Sequence, residues 1–402
     1  MDNRSIVLIG HNFNSLLGIA RAMGKQDWQV SVIRIRYKKK KRFSMDLGLY
    51  PEAHSKYISY YQQADGTNTR TLLIKLITLA KRYPEKSVLL PVDDLSAIFV
   101  DEHLNRLGKY YHVPNAKGQQ GEVVRLMNKS LQDELATEVG LPTPKSWTVK
   151  IEQKRYDIPA EIGYPCFVKT ATPIMDRKLF MGKCESESEL VKFLDSVAKV
   201  CDCIMLVEEF VDIEKEYGCV GVSDGKNVCI PGITEKIQLG HGTNAGVTVC
   251  GKIHKPNDFP DTWEKMKLFI IKTGFQGLFD IDLYESKGTI YFNELNLRMG
   301  AEGVGTLIAG TNIAQIFADS VIGEAADENY PLAAQPITFV NERPLYSDYG
   351  EGYITWAQCR NAIKNADSRL IYSKDDKGPY YDSLFYILRQ WLRRQRRKVK
   401  HE

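Results

Sequence analysis

Several features that define common protein classes are missing from this 402-residue sequence. No apolar run reaches the ~18 residues that a membrane-spanning helix needs, and MDNRSIVLIGHN at the N-terminus favours a first β-strand over a signal peptide. The eight cysteines include neither a CxxC pair nor a Cys/His metal spacing, which favours reduced thiols and a cytoplasmic location. We find no GxSxG, HExxH or Cys/His signature to support a hydrolase, and no GxGxxG dinucleotide motif.

The chain also has little net charge, with 54 Lys and Arg against 50 Asp and Glu. The basic residues are concentrated in two places: seven lie in Arg389–Glu402 beside one acid, and seven fall within the nine residues of Arg34–Arg42. Outside Arg389–Glu402 the chain is close to neutral, so we expect no nucleic-acid partner. Hydrophobic residues at 43% and charged residues at 26% are typical of a folded globular chain.

The C-terminal basic cluster belongs to an amphipathic pattern. Its apolar residues follow helical spacing, and they are Leu384, Ile387, Leu388, Trp391 and Leu392. Residues 383–400 therefore predict peripheral contact with an anionic membrane, which would place the protein at the inner membrane face. The alternative is that the apolar stripe packs on the protein body and the basic end is solvated.

The order of predicted elements defines the fold class. A strand at 5–10, a helix and a strand at 29–37 begin an open parallel α/β sheet, whereas several short strands between about 146 and 236 predict α+β structure with antiparallel pairing. The strand SVLLPVDD ends in Asp93 and Asp94, which either face a substrate at the carboxyl edge of the sheet or cap the next helix. A helix is predicted over residues 130–140, capped by Ser130 and preceded by Lys129.

A hairpin near residue 287 carries the sharpest chemical pattern. Asp282 lies on its first strand, and Glu294, Asn296 and Arg298 follow at alternate positions on the second. Because alternate residues of a strand share a face, we expect these four side chains to meet. Carboxylate and amide oxygens suit Mg²⁺, and a neighbouring arginine suits a phosphate or acyl-phosphate oxygen. The alternative is an exposed polar face on an edge hairpin.

Lysines and glutamates at strand ends extend the pattern. Lys169 ends the apolar strand YPCFVKTA, and CIMLVEEF ends in Glu208, Glu209 and Phe210, with Glu216 six residues later. An apolar strand with a free backbone edge and acids at its end could bind an adenine amino group and ribose hydroxyls. Surface lysines and an ordinary strand end are the alternatives for these residues.

The ordered set resembles the ATP-grasp superfamily. The set comprises a lysine before a helix, VK at a strand end, VEEF, a later glutamate, and an acid followed after eleven residues by ExNxR. It spans roughly residues 120–325, and residues 1–115 resemble the α/β domain that precedes the ATP-grasp domain in this superfamily. Within it, the chain is most similar to carboxylate–amine ligases such as D-aspartate ligase and to the carbamoyl-phosphate synthetase large chain. LPTPKSW and NLRMGAEGVGTLIAGTNI also fit that group.

The resemblance implies a role for each matching residue. Lys129 and Lys169 would bind the ATP phosphates, with Glu208, Glu209 and Phe210 at the adenine, Glu216 at the ribose, and Mg²⁺ or Mn²⁺ held by Asp282, Glu294 and Asn296. Arg298 would stabilise an acyl-phosphate, and His241 would lie near the phosphates or this intermediate. The loop after Lys169 has the single glycine Gly182 where relatives have a glycine-rich loop, so Arg177, Lys178 or Lys183 would close over the phosphates.

The resemblance also implies an organisation and an activity. We expect a pre-ATP-grasp domain at 1–115, an ATP-grasp domain at 116–325 with a lid at about 145–210 and a metal-binding part at about 211–325, and an extension at 326–402. The implied activity is ATP-dependent amide formation between small-molecule carboxylate and amine substrates, in cell-envelope precursor modification or in joining amino acids. A non-catalytic nucleotide-binding protein and a carbamoyl-phosphate synthetase are the alternatives, although the latter normally needs two ATP-grasp halves.

Overall fold

A computed structural model describes residues 4–37, 49–171, 180–323 and 336–401. The first part forms a five-stranded parallel sheet in the order β3-β2-β1-β4-β5. Its elements are β1 (Ser5–Gly10), α1 (Phe13–Gly24), β2 (Gln29–Arg36), β3 (Tyr60–Asp65), α2 (Thr69–Ala80), β4 (Ser87–Pro91), α3 (Asp94–Glu102), α4 (Leu104–Leu107) and β5 (Tyr111–His112). Every residue of β1 and β4 is buried, as expected for strands covered on both faces. The prediction of a parallel α/β start is confirmed.

Two features singled out in the sequence lie in this part of the chain. Asp93 is the N-cap of α3 and shares a capping box with Ser96, so the capping alternative is correct for that residue. In the basic cluster at 34–42, Arg34 lies in β2 and its guanidinium is 3.5 Å from the buried Glu52 carboxylate. Residues 38–42 of the cluster lie outside the described residues.

A short connection and a four-stranded antiparallel sheet follow. The connection contains β6 (Asn115–Ala116), α5 (Glu122–Leu126) and α6 (Lys129–Glu138), and the sheet contains β7 (Ser146–Ile151), β8 (Cys166–Thr170), β9 (Gly182–Cys184), α7 (Glu187–Ala198) and β10 (Cys203–Glu209). The strand order is β7-β10-β8-β9. The predicted cap of α6 was wrong: Asn128 accepts from the Leu131 amide, because the helix starts at Lys129 and Ser130 already lies inside its first turn.

The largest sheet has nine strands and extends from the middle of the chain to its C-terminal part. Its middle elements are β11 (Lys215–Asp224), β12 (Val228–Cys229), β13 (Ile233–Leu239), β14 (Thr248–His254), α8 (Pro260–Thr273), β15 (Phe275–Ser286), β16 (Thr289–Asn296), α9 (Gly303–Ile308) and α10 (Ile313–Ile322). The main strand order is β16-β15-β11-β13-β14-β17-β18, with β12 beside β11 and β6 beside β15.

The last part of the chain adds β17 (Thr338–Val340), α11 (Glu342–Glu351), α12 (Trp356–Asn365), β18 (Ser368–Arg369) and α13 (Gly378–His401). Strands β17 and β18 complete the nine-stranded sheet, while α13 packs on α11. Among the described helices, none combines the length and the apolarity required to cross a membrane.

One hydrophobic core joins the parallel sheet to the nine-stranded sheet. Leu8 and Leu16 from the first sheet pack in the same cluster as Val220, Phe317 and Phe339. All five side chains are fully buried or nearly so. This shared core holds the carboxyl edge of the parallel sheet against the β15–β16 hairpin.

Candidate functional site

The β15–β16 hairpin supplies the acidic face of the site. Asp282 is paired with Glu294 and Asp280 with Asn296, so these side chains lie on one face of the sheet. The connection is tight because Lys287 and Gly288 both have positive φ, at 50° and 74°, the requirement of a two-residue hairpin turn. The predicted turn is confirmed, and the expected meeting of the acids and the amide is observed: Asn296 Nδ2 donates to Asp282 Oδ2 at 3.3 Å.

Two largely buried lysines neutralise these carboxylates. Lys129 Nζ, at the start of α6, donates to Glu294 Oε2 at 2.5 Å. Lys236 Nζ, on β13, donates to Asp282 Oδ1 at 2.5 Å and lies 3.5 Å from Glu302 Oε1. The surface alternative for Lys129 is therefore wrong, since its ammonium is directed at the hairpin.

Arg298 links the hairpin to the parallel sheet. Its Nε donates to Asp94 Oδ1 at 2.9 Å, and its terminal nitrogen is 3.4 Å from Asp280 Oδ2. Asp94 directly follows the helix cap Asp93 and pairs with this arginine. The arginine thus stands where the two sheets meet.

Charge balance at the hairpin determines which groups are ionised. Burial would raise the pKa of Glu294, but the Lys129 ammonium more than offsets it and lowers that pKa to about 2. Burial would lower the pKa of Lys236, yet Glu302 and Asp282 raise it well above its usual value. Burial, reinforced by Asp282 and Glu302, raises the pKa of Asp280 well above that of an ordinary carboxyl. Lys129 therefore favours the ionised form of Glu294, whereas burial and the neighbouring acids disfavour ionisation of Asp280.

Glu302 and Glu216 widen the acidic face. Glu302 Oε1 accepts from the Thr248 hydroxyl at 2.5 Å. A Cβ on Gly218 would come within 1.8 Å of Glu302 Oε2, so a larger residue there would displace this carboxylate. Burial raises the pKa of the half-buried Glu216 despite the opposing field of Lys236. The expected ribose ligand is thus electrostatically coupled to the hairpin.

A second buried ion pair lies in the four-stranded sheet. Lys169 Nζ is 2.8 Å from Glu208 Oε1, and both side chains are less than a tenth exposed. Lys169 also approaches Asn293 Oδ1 at 3.4 Å, which joins this pair to the hairpin. Burial raises the pKa of the neighbouring Asp133 to about 7, with Lys169 acting in the opposite direction. A surface assignment for Lys169 is therefore wrong.

The remaining predicted nucleotide residues lie at the edge of this sheet. Lys183 Nζ lies 4.0 Å from the centre of the Phe210 ring, a cation–π contact, and also pairs with Glu185 at 2.8 Å. The Phe210 amide donates to the Pro165 carbonyl at 3.3 Å, while the Glu209 side chain is exposed. Arg177 and Lys178 lie outside the described residues.

His241 stands apart from the hairpin in its direct contacts. Its Nδ1 is 2.9 Å from Asp348 Oδ2, and its ring stacks on Tyr353 with centroids 5.0 Å apart. Both partners come from the C-terminal part of the chain, which the sequence pattern did not connect to this histidine. His241 and Tyr353 line a cavity of about 640 Å³, whose other walls include Gln358 and Asn361.

Reasoning from the sequence missed three charged members of the site. Asp280 was available from the alternation in FDIDLY, because it precedes Asp282 by two positions on the same strand. Lys236 and Glu302 lie on other elements and gave no local pattern. Among the described residues, no group of three or more His, Cys, Asp or Glu side chains is arranged to hold a metal by itself.

The oxygen ligands nevertheless fit a hard divalent cation. Asp282 and Glu294 face each other across the hairpin, and Asn296 adds an amide oxygen. In the part of the chain that the structure describes, Asp280 Oδ1 and Glu302 Oε2 are buried without a hydrogen-bond partner, leaving coordination or hydrogen-bonding capacity in the site.

Comparison with known proteins identifies this part of the chain. Residues 134–315 match the model of the ATP-grasp domain. The chain is 26% identical over 168 residues to the carbamoyl phosphate synthase large chain of Methanocorpusculum labreanum, covering 41% of this chain and 16% of that protein. It is 26% identical over 271 residues to the formate-dependent phosphoribosylglycinamide formyltransferase of Bacillus subtilis, covering 64% and 63% of the two chains.

Solved structures agree on the fold. An ADP complex of N5-carboxyaminoimidazole ribonucleotide synthetase superposes with a TM-score of 0.62 at 17% identity, covering 87% of this chain and 85% of the other. The L-amino acid ligase from Bacillus licheniformis superposes with a TM-score of 0.60 at 14% identity, covering 84% and 79%. The predicted combination of an ATP-grasp fold with a preceding parallel α/β unit is confirmed.

Proposed function

This chain carries an ATP-grasp domain, and from that premise we propose that it is an ATP-dependent ligase. It joins a carboxylate, most simply that of an amino acid, to an amine and releases ADP and phosphate. The observation that carries the proposal is the convergence of Lys129, Lys236 and Arg298 on the carboxylates of the β15–β16 hairpin. Such a group of fixed cations and acids is suited to phosphoryl transfer, which depends on positioning and charge neutralisation.

The chemistry requires activation because oxide is a poor leaving group from a carboxylate. A carboxylate oxygen attacks the γ-phosphorus of ATP, and the bond from that phosphorus to the bridging oxygen of ADP breaks. The amine then attacks the acyl-phosphate carbonyl, phosphate leaves with the former carboxylate oxygen, and the amine gives up a proton. We assign Arg298 to stabilise the negative charge of the acyl-phosphate, with Asp94 and Asp280 fixing its guanidinium.

Mg²⁺, with Mn²⁺ as the alternative, would be held by Asp282, Glu294 and Asn296. When bound, the cation supplies charge neutralisation for the phosphate oxygens. The low pKa of Glu294 keeps its carboxylate ionised at neutral pH, so it is available as a ligand. Lys129 and Lys236 would redirect their ammonium groups from these carboxylates toward phosphate.

ATP would lie between the hairpin and the four-stranded sheet. Lys129 and Lys169 are assigned to the phosphates and Glu216 to the ribose. Glu208, Glu209 and Phe210 form the adenine end, with Lys183 placed over the Phe210 ring. The ion pair between Lys169 and Glu208 would weaken when the Lys169 ammonium binds phosphate. Because Glu208 is assigned to the adenine, phosphate binding and adenine binding would then depend on each other.

His241 is assigned as the base for the amine. Asp348 holds its Nδ1, which orients the ring and leaves Nε2 available to accept a proton. The adjoining cavity offers Gln358 and Asn361 as neutral hydrogen-bonding groups for the acceptor. Acceptors to test first are a second amino acid and an amine of a cell-envelope precursor.

The test measures ADP release from MgATP in the presence of amino-acid pools and identifies the product by mass spectrometry. We expect ADP and an amide to form together, and Lys169→Ala to lose most turnover. Lys150→Ala is the matched control because Lys150 also lies on a strand of the four-stranded sheet but is exposed, and its ion pair is with Glu152.

Two outcomes would contradict the proposal that the chain is a ligase. ATP binding without turnover in any pool would favour a nucleotide-binding protein, the alternative that the glycine-poor loop raises. ATP-dependent formation of carbamoyl phosphate would favour the synthetase alternative, to which the matched relative gives some support.

A further inference from the structure

Helix α13 carries an apolar stripe that no part of the described chain covers. The stripe consists of residues that are between 42% and 57% exposed, and they are Tyr381, Leu384, Phe385, Leu388, Trp391 and Leu392. At ~100° per residue these six positions fall within an arc of about 120° on the helix. Large apolar side chains clustered in this way on a surface mark an interaction site.

The opposite side of α13 is the side that binds the protein body. Ser383 and Gln390 are buried, and Gln390 packs against Gly350 of α11. Arg393 pairs with Glu351 at 3.1 Å near the end of the same helix. The stripe therefore faces away from the body, and the alternative in which it packs inward is wrong.

The structure also corrects the composition of the stripe. Ile387, which sequence spacing placed in it, is half-buried and lines a small cleft with Tyr386 and Arg343. Tyr381 and Phe385 take its place on the exposed side. The outer face thus gains two aromatic side chains in addition to Trp391.

Basic residues border this stripe. Arg389 and Arg396 are exposed. On the helical wheel both lie within about 110° of the centre of the stripe, and they are more than one turn apart along the helix axis. Lys398 and Lys400 follow in the last turns of the helix. An apolar band with a cationic border is the arrangement of a helix that lies in a membrane interface, with aromatic rings at the headgroup level.

We propose that α13 attaches the protein peripherally to an anionic lipid surface, with the stripe of Tyr381, Leu384, Phe385, Leu388, Trp391 and Leu392 buried among the acyl chains and headgroups. Charge favours an anionic lipid surface over a second copy of the chain as the partner of the stripe. Two identical stripes would bring two sets of basic residues together, whereas an anionic surface neutralises one set. A nucleic acid would meet the basic edges but would leave the apolar centre in contact with water.

The experiment uses the full chain and vesicles of phosphatidylcholine, alone or mixed with phosphatidylglycerol, at low and high salt. The wild type is expected to sediment with the anionic vesicles at low salt and to be released by high salt. Arg389→Gln with Arg396→Gln is expected to weaken this partition roughly thirtyfold, equivalent to about 2 kcal/mol. Leu388→Gln with Trp391→Gln is expected to weaken it at least about tenfold.

Matched controls come from exposed residues of other helices. Ile74→Gln with Leu268→Gln removes two equally exposed apolar side chains, and Lys192→Gln with Lys199→Gln removes two exposed charges. Both controls are expected to bind as the wild type does. Each variant is checked by thermal melting and by its ADP release without vesicles. We expect both to be unchanged. The ADP release also tests the ligase assignment separately from membrane binding.

Three results would overturn the proposal. The first is a wild type that does not sediment with anionic vesicles, and the second is a Leu388/Trp391 variant that partitions like the wild type. The third is a concentration-dependent dimer, seen by analytical ultracentrifugation, that the Leu388/Trp391 variant abolishes while vesicle binding persists. A salt-sensitive complex with a DNA duplex that survives this variant, without vesicle binding, would assign the basic edge to nucleic acid.

Discussion

At the scale of single residues, the β15–β16 hairpin shows how the protein keeps like charges close together. Glu294 and Asp282 are paired across the strands, and each receives one buried ammonium, from Lys129 and Lys236. Removing one member of such a pair leaves a buried charge without compensation, which generally costs about 3–5 kcal/mol. Changes here therefore affect stability as well as chemistry, and the two effects must be measured separately.

Glu294→Gln is expected to lower metal-dependent ADP formation by at least about 10²-fold, because the cation loses a charged ligand. ADP release is measured across a Mg²⁺ titration, with folding confirmed by circular dichroism. Glu152→Gln is the control, since Glu152 belongs to an exposed Lys–Glu pair. A folded Glu294→Gln protein with near-wild-type ADP formation would remove Glu294 from the metal site.

Asp133 predicts a dependence of stability on pH. Its pKa is about 7 in the folded protein and 3.8 ordinarily, so the folded state binds more protons between these values and stability falls as pH rises from about 4 to 7. Asp133→Asn removes this penalty. We expect it to stabilise the protein more at pH 8 than at pH 5, by roughly 2–3 kcal/mol of difference, measured by urea unfolding at both pH values. An equal stabilisation by Asp133→Asn at the two pH values would show that the pKa of Asp133 is not raised.

At the scale of elements, the segment before α13 is bound to helix α1 by a buried ion pair and hydrogen bonds. Arg21 of α1 donates from Nε to Asp376 Oδ2 at 2.8 Å and from a terminal nitrogen to the Ile371 carbonyl at 2.8 Å. The Ser55 hydroxyl and the Lys56 amide complete the shell of Asp376, which is 2% exposed. Because this contact joins residues 355 positions apart, it holds α13 and its exposed stripe in place.

Arg21→Gln is expected to lower the free energy of unfolding by about 3 kcal/mol, since Asp376 would remain buried without its partner. The control is Lys25→Gln in the following turn, whose partner Asp375 is partly exposed; that pair is worth about 0–1 kcal/mol. Urea titration of both variants gives the comparison. Equal losses would mean that the Arg21 cluster contributes no more than a surface pair.

At the scale of the whole molecule, the site is formed where the parallel sheet, the four-stranded sheet and the nine-stranded sheet face one another. Arg298 reaches Asp94, which begins the helix after β4 of the parallel sheet. Lys169 of the four-stranded sheet reaches Asn293 of the nine-stranded sheet. A ligand bound there would contact all three sheets, so its binding energy would add to the stability of the entire fold.

MgATP is therefore expected to raise the melting temperature in a concentration-dependent manner, with about 2.7 kcal/mol gained at a hundredfold excess over Kd. The same ATP with a chelator is expected to give a smaller increase, because the carboxylates of Asp282 and Glu294 then repel the phosphates. Calorimetry or dye-based melting checks the difference. An identical increase with and without the metal would contradict a cation at the hairpin.

What the sequence determined by itself was local. The turn at Lys287 and Gly288 and the alternation on either side placed Asp282 and Glu294 on the two strands of one hairpin. Their direct pairing also needs the register shift between Asp282 and Leu283, which the alternation did not indicate. Helical spacing likewise indicated an amphipathic α13. Periodicity specifies which residues share a face, so these features needed no knowledge of distant parts of the chain.

Only the tertiary structure decided what meets each face. Lys236 reaches Asp282 across 46 residues, Arg298 reaches Asp94 across 204, and His241 reaches Asp348 across 107. The exposed side of α13 was decided in the same way, since packing on α11 half-buried Ile387 and left Tyr381 and Phe385 outside. Such pairings arise when separate sheets and helices pack, and a pattern within one element does not contain the position of its neighbours.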